Sequence, residues 1–333
     1  MSEYKAIHGV KIRDYTTDPD NLITGQVWFD KTNKVLQFQE SNVAGSWATG
    51  GSLNVGSRYA SGLGVQTASL AFSGLRQGLS GDRVETELYN GASWTEVNDM
   101  NTARSTYGSQ GAGTTTSGIC VSGYSNPADA NKDEVETWNG TSWTEIADVN
   151  TARRAAAASG VVNSAVLFFG GFTDARSNAT EIWNGTAWTE LNNLNLARDT
   201  LSGQGTNTAA LAAAGGVPGA KDEVELWNGT SWTEIADINT ARQSVGGSGT
   251  STLGLVFGGQ PRGDNGKKTE QWNGTAWTET NDMSIARSGF ATSTLSATAA
   301  LAAGGDSDNN PSAPAGTEEF SSPAVSTKTV DID

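Results

Sequence analysis

Six arginines and six glutamates recur along this chain in a common frame: Arg58, Arg104, Arg153, Arg198, Arg242 and Arg287, and Glu87, Glu136, Glu181, Glu225, Glu270 and Glu318. Two kinds of chemistry are open to such a set. A ring of carboxylates could chelate cations, and a ring of guanidinium groups could grip an acidic ligand. The competing reading is structural, because an Arg–carboxylate fork also satisfies polar groups buried between packed units. Residues copied into every unit serve what every unit shares, so the expectation is inter-unit packing. Local function is then expected where the units differ.

Other chemistry is scarce. His8 is the one histidine, which excludes histidine triads, histidine-rich metal sites and histidine general bases from the body of the chain. The one cysteine, Cys120, lies in the apolar run SGICVSG and reads as a small buried hydrophobe, not as a nucleophile or metal ligand. No phosphate loop or dinucleotide fingerprint appears, and no cofactor is expected. Asp306, Asp308 and Asn309 form a D-x-D-N fragment with oxygens for calcium, but no EF-hand frame of glycine and glutamate follows. Arg262-Gly263-Asp264 is explained by turn propensity. The formal charge of −15 produces a field that repels polyphosphate, which argues against nucleic acid as a partner. No apolar run approaches the length of a membrane helix, and MSEYKAIHGVKIRD has no apolar signal core, so neither a membrane span nor signal-peptide secretion is expected.

The elements that position these residues follow from a repeat. The segments ELYNGASWTEVNDMNTAR, ETWNGTSWTEIADVNTAR, EIWNGTAWTELNNLNLAR, ELWNGTSWTEIADINTAR and EQWNGTAWTETNDMSIAR share one frame. Their second tryptophans are Trp94, Trp143, Trp188, Trp232 and Trp277, with spacings of 49, 45, 44 and 45 residues. After each arginine comes a small-residue strand, then an apolar strand ending in glycine, as in SAVLFFGG. A polar loop of variable length leads to a tryptophan hairpin around Asn-Gly, whose positive φ values suit a two-residue type I′ turn. That turn would set Trp138 opposite Thr141 and Glu136 opposite Trp143, making the two tryptophans diagonal neighbours. It also accounts for the Asn-Gly-Thr tripeptides at Asn139, Asn184, Asn228 and Asn273 without glycosylation.

Four strands in about 45 residues, repeated six times, predict an all-β, six-bladed β-propeller, since one small sheet cannot bury its face alone. The Gly170-Gly171, Gly215-Gly216, Gly258-Gly259 and Gly304-Gly305 pairs, the paired aromatics and the closing arginine resemble kelch repeats over residues 47 to 320. The aromatics lie closer together than in the kelch pattern, and the first two units read Ser73-Gly74 and Ser122-Gly123, so kelch-like is the apt description. The sixth unit ends at Phe320 without a following tryptophan strand. Trp47 precedes Arg58 by eleven residues where later gaps are ten, and its segment is expected to complete the last blade.

Residues 1–46 break the period and residues 321–333 form a tail. QVWFD and KVLQF read as a hairpin carrying Trp28 and Phe29. Gly25, Gln26, Val27, Trp28, Phe29, Asp30, Thr32 and Leu36, followed by the strand of Trp47, resemble the short attachment modules that begin tail-fibre and other virion proteins of tailed bacteriophages. Together with the WNGTSWTE units, the whole resembles kelch-like structural proteins of marine phages. That resemblance implies a non-enzymatic virion protein, tail-associated or on the capsid surface, assembled in host cytoplasm and multimeric in the particle. Residues 1–46 and the tail would contact other virion proteins. The variable loops, with Tyr124 and Phe172 as their main aromatics, would meet a host glycan or protein. A bacterial kelch-like binding module is the alternative. A glycosidase-type propeller, suggested by fold analogy alone, is a third reading that the residues speak against, since Tyr59, Tyr107 and Tyr124 occur without a matching catalytic motif.

Overall fold

A computed structural model of the chain describes residues 13–15, 27–39, 45–76, 81–107, 110–307, 315–322 and 327–329. Two compact units result, one made of residues 45–322 and the other of residues 1–44 with 323–333.

The larger unit is a six-bladed β-propeller of four-stranded antiparallel blades. From innermost to outermost strand, blade 1 comprises Ser61–Val65, Ala68–Phe72, Thr86–Tyr89 and Trp94–Val97. Blade 2 comprises Gly111–Thr114, Ser117–Ser125, Ala130–Trp138 and Trp143–Ile146. Blades 3, 4 and 5 begin at Ala157–Val162, Ser202–Gly205 and Gly246–Gly249 and end at Trp188–Glu190, Trp232–Glu234 and Trp277–Thr280. Blade 6 takes Ala291–Thr292, Ala299–Ala303 and Thr317–Ser321 from the end of the unit and Ser46–Gly50 from its start, with Trp47 opposite Phe320. The N-terminal strand thus closes the ring. Among the described residues the single helical element is a 3-10 turn, Gly263–Lys267, which contains the Gly263-Asp264 part of the Arg-Gly-Asp tripeptide.

Small residues fill the innermost strands because those strands crowd the axis. A Cβ on Gly62 would lie 2.5 Å from the Thr292 carbonyl oxygen in blade 6, and one on Gly111 would lie 2.5 Å from the Gly62 carbonyl oxygen. Only glycine permits that approach between backbones. The second strands are apolar on both faces, as in Ala165–Phe169, because they are covered by blades on both sides.

The tryptophan hairpin differs from its predicted form. Trp138 is opposite Trp143, not Thr141, and Glu136 is opposite Glu145. The connection is the four residues Asn139 to Ser142, in which Gly140 takes φ +97° while Asn139 stays out of the left-handed region. The Asn139 side-chain oxygen accepts hydrogen bonds from the backbone N–H groups of Thr141 and Ser142, both at 2.9 Å, so the asparagine builds an Asx turn instead of a type I′ pair. The two indoles are therefore direct cross-strand partners, 5.5 Å apart.

The smaller unit is a four-stranded sheet. Val27–Asp30 and Val35–Gln39 form the expected hairpin, whose turn is held by Asp30 accepting from the N–H groups of Thr32 and Asn33. Trp28 is fully buried and Phe29 half-buried. Arg13–Tyr15 adds a parallel strand beside Val27–Asp30, and Thr327–Thr329 pairs with Val35–Gln39. The tail strand Thr327–Thr329 is thus hydrogen-bonded into the sheet of the N-terminal module. Gly25, Gln26 and His8 lie outside the described residues.

Candidate functional site

Two sets of polar residues emerge from this scaffold, one between the blades and one on a face.

Between blades, each linker is latched onto the blade that follows. In the fifth blade, Arg242 Nη2 lies 2.9 Å from Glu270 Oε1, and Nη1 donates to the carbonyls of Gly258 (2.9 Å) and Lys268 (2.7 Å). The same ion pair joins Arg104 to Glu136 (3.0 Å), Arg153 to Glu181 (2.5 Å), Arg198 to Glu225 (3.2 Å) and Arg287 to Glu318 (2.9 Å), with all ten side chains essentially excluded from solvent. Burial pulls Arg153, Arg198, Arg242 and Arg287 below the usual arginine range, and the facing glutamate opposes that pull. Arg104 sits beside Cys120, whose thiol is raised by burial against the influence of that arginine. A buried thiol of this kind is unreactive.

An asparagine three residues before the arginine completes the latch, and sequence reasoning missed it. Asn101, Asn150, Asn195 and Asn239 each donate both backbone N–H and side-chain Nδ2 to one oxygen of the glutamate. Asn54 does the same for Glu87, and Ser284 takes the role for Glu318. The recurrent N-x-x-R spacing carried the signal.

The outermost tryptophan locks the seam in the opposite direction. Trp94, Trp143, Trp232 and Trp47 donate their indole N–H to Thr317, Thr86, Thr180 and Thr269 of the preceding blade at 2.9 to 3.0 Å. Trp188 and Trp277 donate instead to the backbone carbonyls of Ala147 and Ala236. Trp47 also packs on Phe257 and Phe320.

Arg58 does not belong to this set. Its side chain is 35% exposed and lies 3.6 Å from Asp306, not near Glu87. The eleven-residue gap is the reason: Ser57, ten residues after Trp47, occupies the arginine position, and Arg58 falls one place beyond it.

That shift places Arg58 on the face where the linkers meet the loops joining second and third strands, together with an arc of aromatics from blades 1 to 3. Tyr59 stacks on Tyr107 at 4.5 Å, and Tyr107 meets Tyr124 edge-on at 6.1 Å. The Arg154 guanidinium lies over both Tyr124 (4.3 Å) and Phe172 (4.7 Å) and donates to Asn131. Arg58 lies over Tyr59 at 5.4 Å. Tyr124 is bonded to Asp129, and Asn126 to Asp82. All five aromatic and arginine side chains Tyr59, Tyr107, Tyr124, Arg154 and Phe172 are half-buried, so part of each remains exposed to solvent.

The backbone fixes this arc. Tyr59 has φ +55° and donates its N–H to the Gly289 carbonyl of the preceding linker at 2.6 Å. Gly289, Ser244 and Thr200 continue the pattern around the axis, each donating to the linker before it, and Thr106 donates to Tyr59. At the positions equivalent to Tyr59, the other blades carry small residues such as Ala155, Thr200 and Ser244, so the aromatic surface is confined to one side.

Burial raises the Tyr59 and Tyr107 hydroxyls above the ordinary tyrosine range, and the Asp129 hydrogen bond does so for Tyr124. Neutral phenols offer donors and ring faces, whereas a tyrosine nucleophile needs its hydroxyl lowered. Of the calcium fragment, Asp306 is engaged with Arg58, and Asp308 and Asn309 lie outside the described residues. Among the described residues there is no group of three histidine, cysteine or acidic side chains able to hold a metal ion, and no helix long and apolar enough to cross a membrane.

The fold and seams define a six-bladed β-propeller, consistent with the kelch-like type. No protein-family model matches the chain, and no curated protein matches it.

Proposed function

We propose that this protein is a non-enzymatic presentation scaffold, a virion structural protein of a tailed bacteriophage, whose propeller carries a binding surface for a host glycan or protein. The observation that carries this reading is the aromatic–arginine arc of Tyr59, Tyr107, Tyr124, Arg154 and Phe172, which lies where the repeat is broken while five of the six seams keep their Arg–Glu pair. Tyrosine faces flanked by arginine suit a sugar ring bearing a carboxylate, or an acidic loop of a protein. Residues 1–46 and the tail, which supply the sheet of Arg13–Tyr15, Val27–Asp30, Val35–Gln39 and Thr327–Thr329, are the segments assigned to contact with other virion proteins, and the resemblance of the N-terminal part to phage attachment modules supports that assignment. Repeated attachment in the particle would multiply a weak contact into avidity.

Antibody labelling of intact particles, combined with binding of the purified full chain to host cells, tests the proposal. Particle labelling together with binding abolished by Tyr107→Ala and Arg154→Ala is the expected result. A chain found free in cells and absent from particles would favour the bacterial binding module instead.

A further inference from the structure

On the face that carries the tryptophan-hairpin turns, opposite the aromatic arc, an amide side chain bridges every seam but one among the described residues. Asn98 donates to the Thr141 carbonyl across the first and second blades at 2.9 Å, and Asn192 to the Thr230 carbonyl across the third and fourth at 2.8 Å. Asn163 reaches the Trp138 carbonyl between the second and third blades, and Gln271 reaches Ala297 between the fifth and sixth. Gln66 reaches Ala300 and Phe320 where the sixth blade meets the first. Three positions of the repeat supply these amides. Between the fourth and fifth blades the same positions hold Ala236, Leu226 and Ser251, none of which carries a side-chain N–H. Gln204 crosses that seam nearer the axis, where it accepts from the Leu255 N–H.

All three substituted positions line a groove of about 460 Å³. That volume suits a small ligand. Ile235 and the edges of Trp227 and Trp272 extend its apolar lining, and Asn228, Thr252 and Thr275 bring polar groups to it. None of the lining residues is charged, and the formal charge of −15 disfavours an acidic occupant, so a neutral one fits best. The acceptors that the amides use elsewhere are both present. Thr275 stands where Thr141 and Thr230 do, and Trp227 where Trp138 and Phe320 do, yet among the described residues no side chain donates to either carbonyl. An occupant that completes this seam must bring an amide N–H together with a small apolar group. We infer that the groove between the fourth and fifth blades binds the acetamido group of a neutral N-acetylated sugar. The sugar's N–H takes the place of the absent asparagine amide at the Thr275 carbonyl, its methyl group packs against Leu226 and Ala236, and its hydroxyls meet Asn228 and Thr252. This groove is separate from the aromatic arc and does not depend on it.

Calorimetry and saturation-transfer NMR on the full chain with N-acetylglucosamine and N-acetylgalactosamine provide the test, with glucose and galactose as controls that lack the acetamido group. At least one N-acetylated sugar is expected to bind in the millimolar range, about tenfold more tightly than its parent sugar and with its acetyl methyl the most strongly saturated group. Ala236→Asn and Ser251→Asn each restore an amide carried by other seams, so both should unfold at the wild-type temperature or above it while weakening binding by about tenfold or more. Should one fail to fold, the other decides. Arg154→Ala, on the opposite face, should bind the sugar as the wild type does. No binding by the wild type, equal binding of the parent sugars, or undiminished binding by the folded asparagine variants would overturn the site. Loss of sugar binding in Arg154→Ala would do the same, because it would move the sugar to the arc.

Discussion

The seams and the aromatic arc use the same residue types to opposite ends. At a seam, Arg242 is fully buried, bonded to a carboxylate and two carbonyls, and repeated with little change around the ring. In the arc, Arg154 is half-buried, rests on two aromatic rings and has no counterpart in most blades. Adjacent arginines in one linker, Arg153 and Arg154, divide these roles between them. Repetition thus marks what holds the propeller together, and the proposed binding surface lies where the repeat is broken.

The widest separation between the two regions should appear in stability. Arg242→Ala leaves Glu270 buried without its partner and is expected to cost about 3–5 kcal/mol in denaturant unfolding, with Arg198→Ala behaving alike. Gly62→Val places a branched side chain against the backbone of Thr292 and should cost about 1–3 kcal/mol, read as a lower unfolding midpoint. Trp232→Phe keeps most of the ring packing but leaves Thr180 without the indole N–H, a loss of about 1 kcal/mol. Arg154→Ala in the arc should change stability by about 1 kcal/mol or less while removing the host-cell binding proposed for that face.

The smallest effect is spectroscopic. In an ultraviolet titration, Tyr59 and Tyr107 should ionise above the ordinary tyrosine pKa of about 10. Because their folded pKa is raised, the stability they contribute is intact below the unfolded value and is lost as the pH climbs through the folded one. Tyr59→Phe should remove one such late step.

Much of this was written in the sequence because the repeat supplies its own alignment. Blade number, four strands per blade and closure by the strand of Trp47 all follow from spacing, since a stacked sheet must recur at a fixed period. The exchange of Arg58 for Ser57 was visible only as an extra residue in one gap, and similarity of residue type masked it. The indole pairing was misjudged because Asn139 uses its side chain to widen the turn, a choice that the Asn-Gly dipeptide does not reveal. Tyr59, Tyr107 and Tyr124 carried no local motif, as their contact is created where the linkers into blades 1 and 2 meet the loop of blade 2 on one face. Pairing of the tail with the N-terminal hairpin had no signal either, because Thr327–Thr329 is three polar residues without apolar alternation.

A double-mutant cycle on Arg242 and Glu270 is the most direct test of the division between seam and face. If the pair is a latch, Arg242→Met and Glu270→Leu should each destabilise strongly, and the double variant should recover most of that loss, because no charge is then left buried alone. Losses that simply add would contradict the account, since they would mean that the two side chains act independently and that the repeated charges serve something other than the seam.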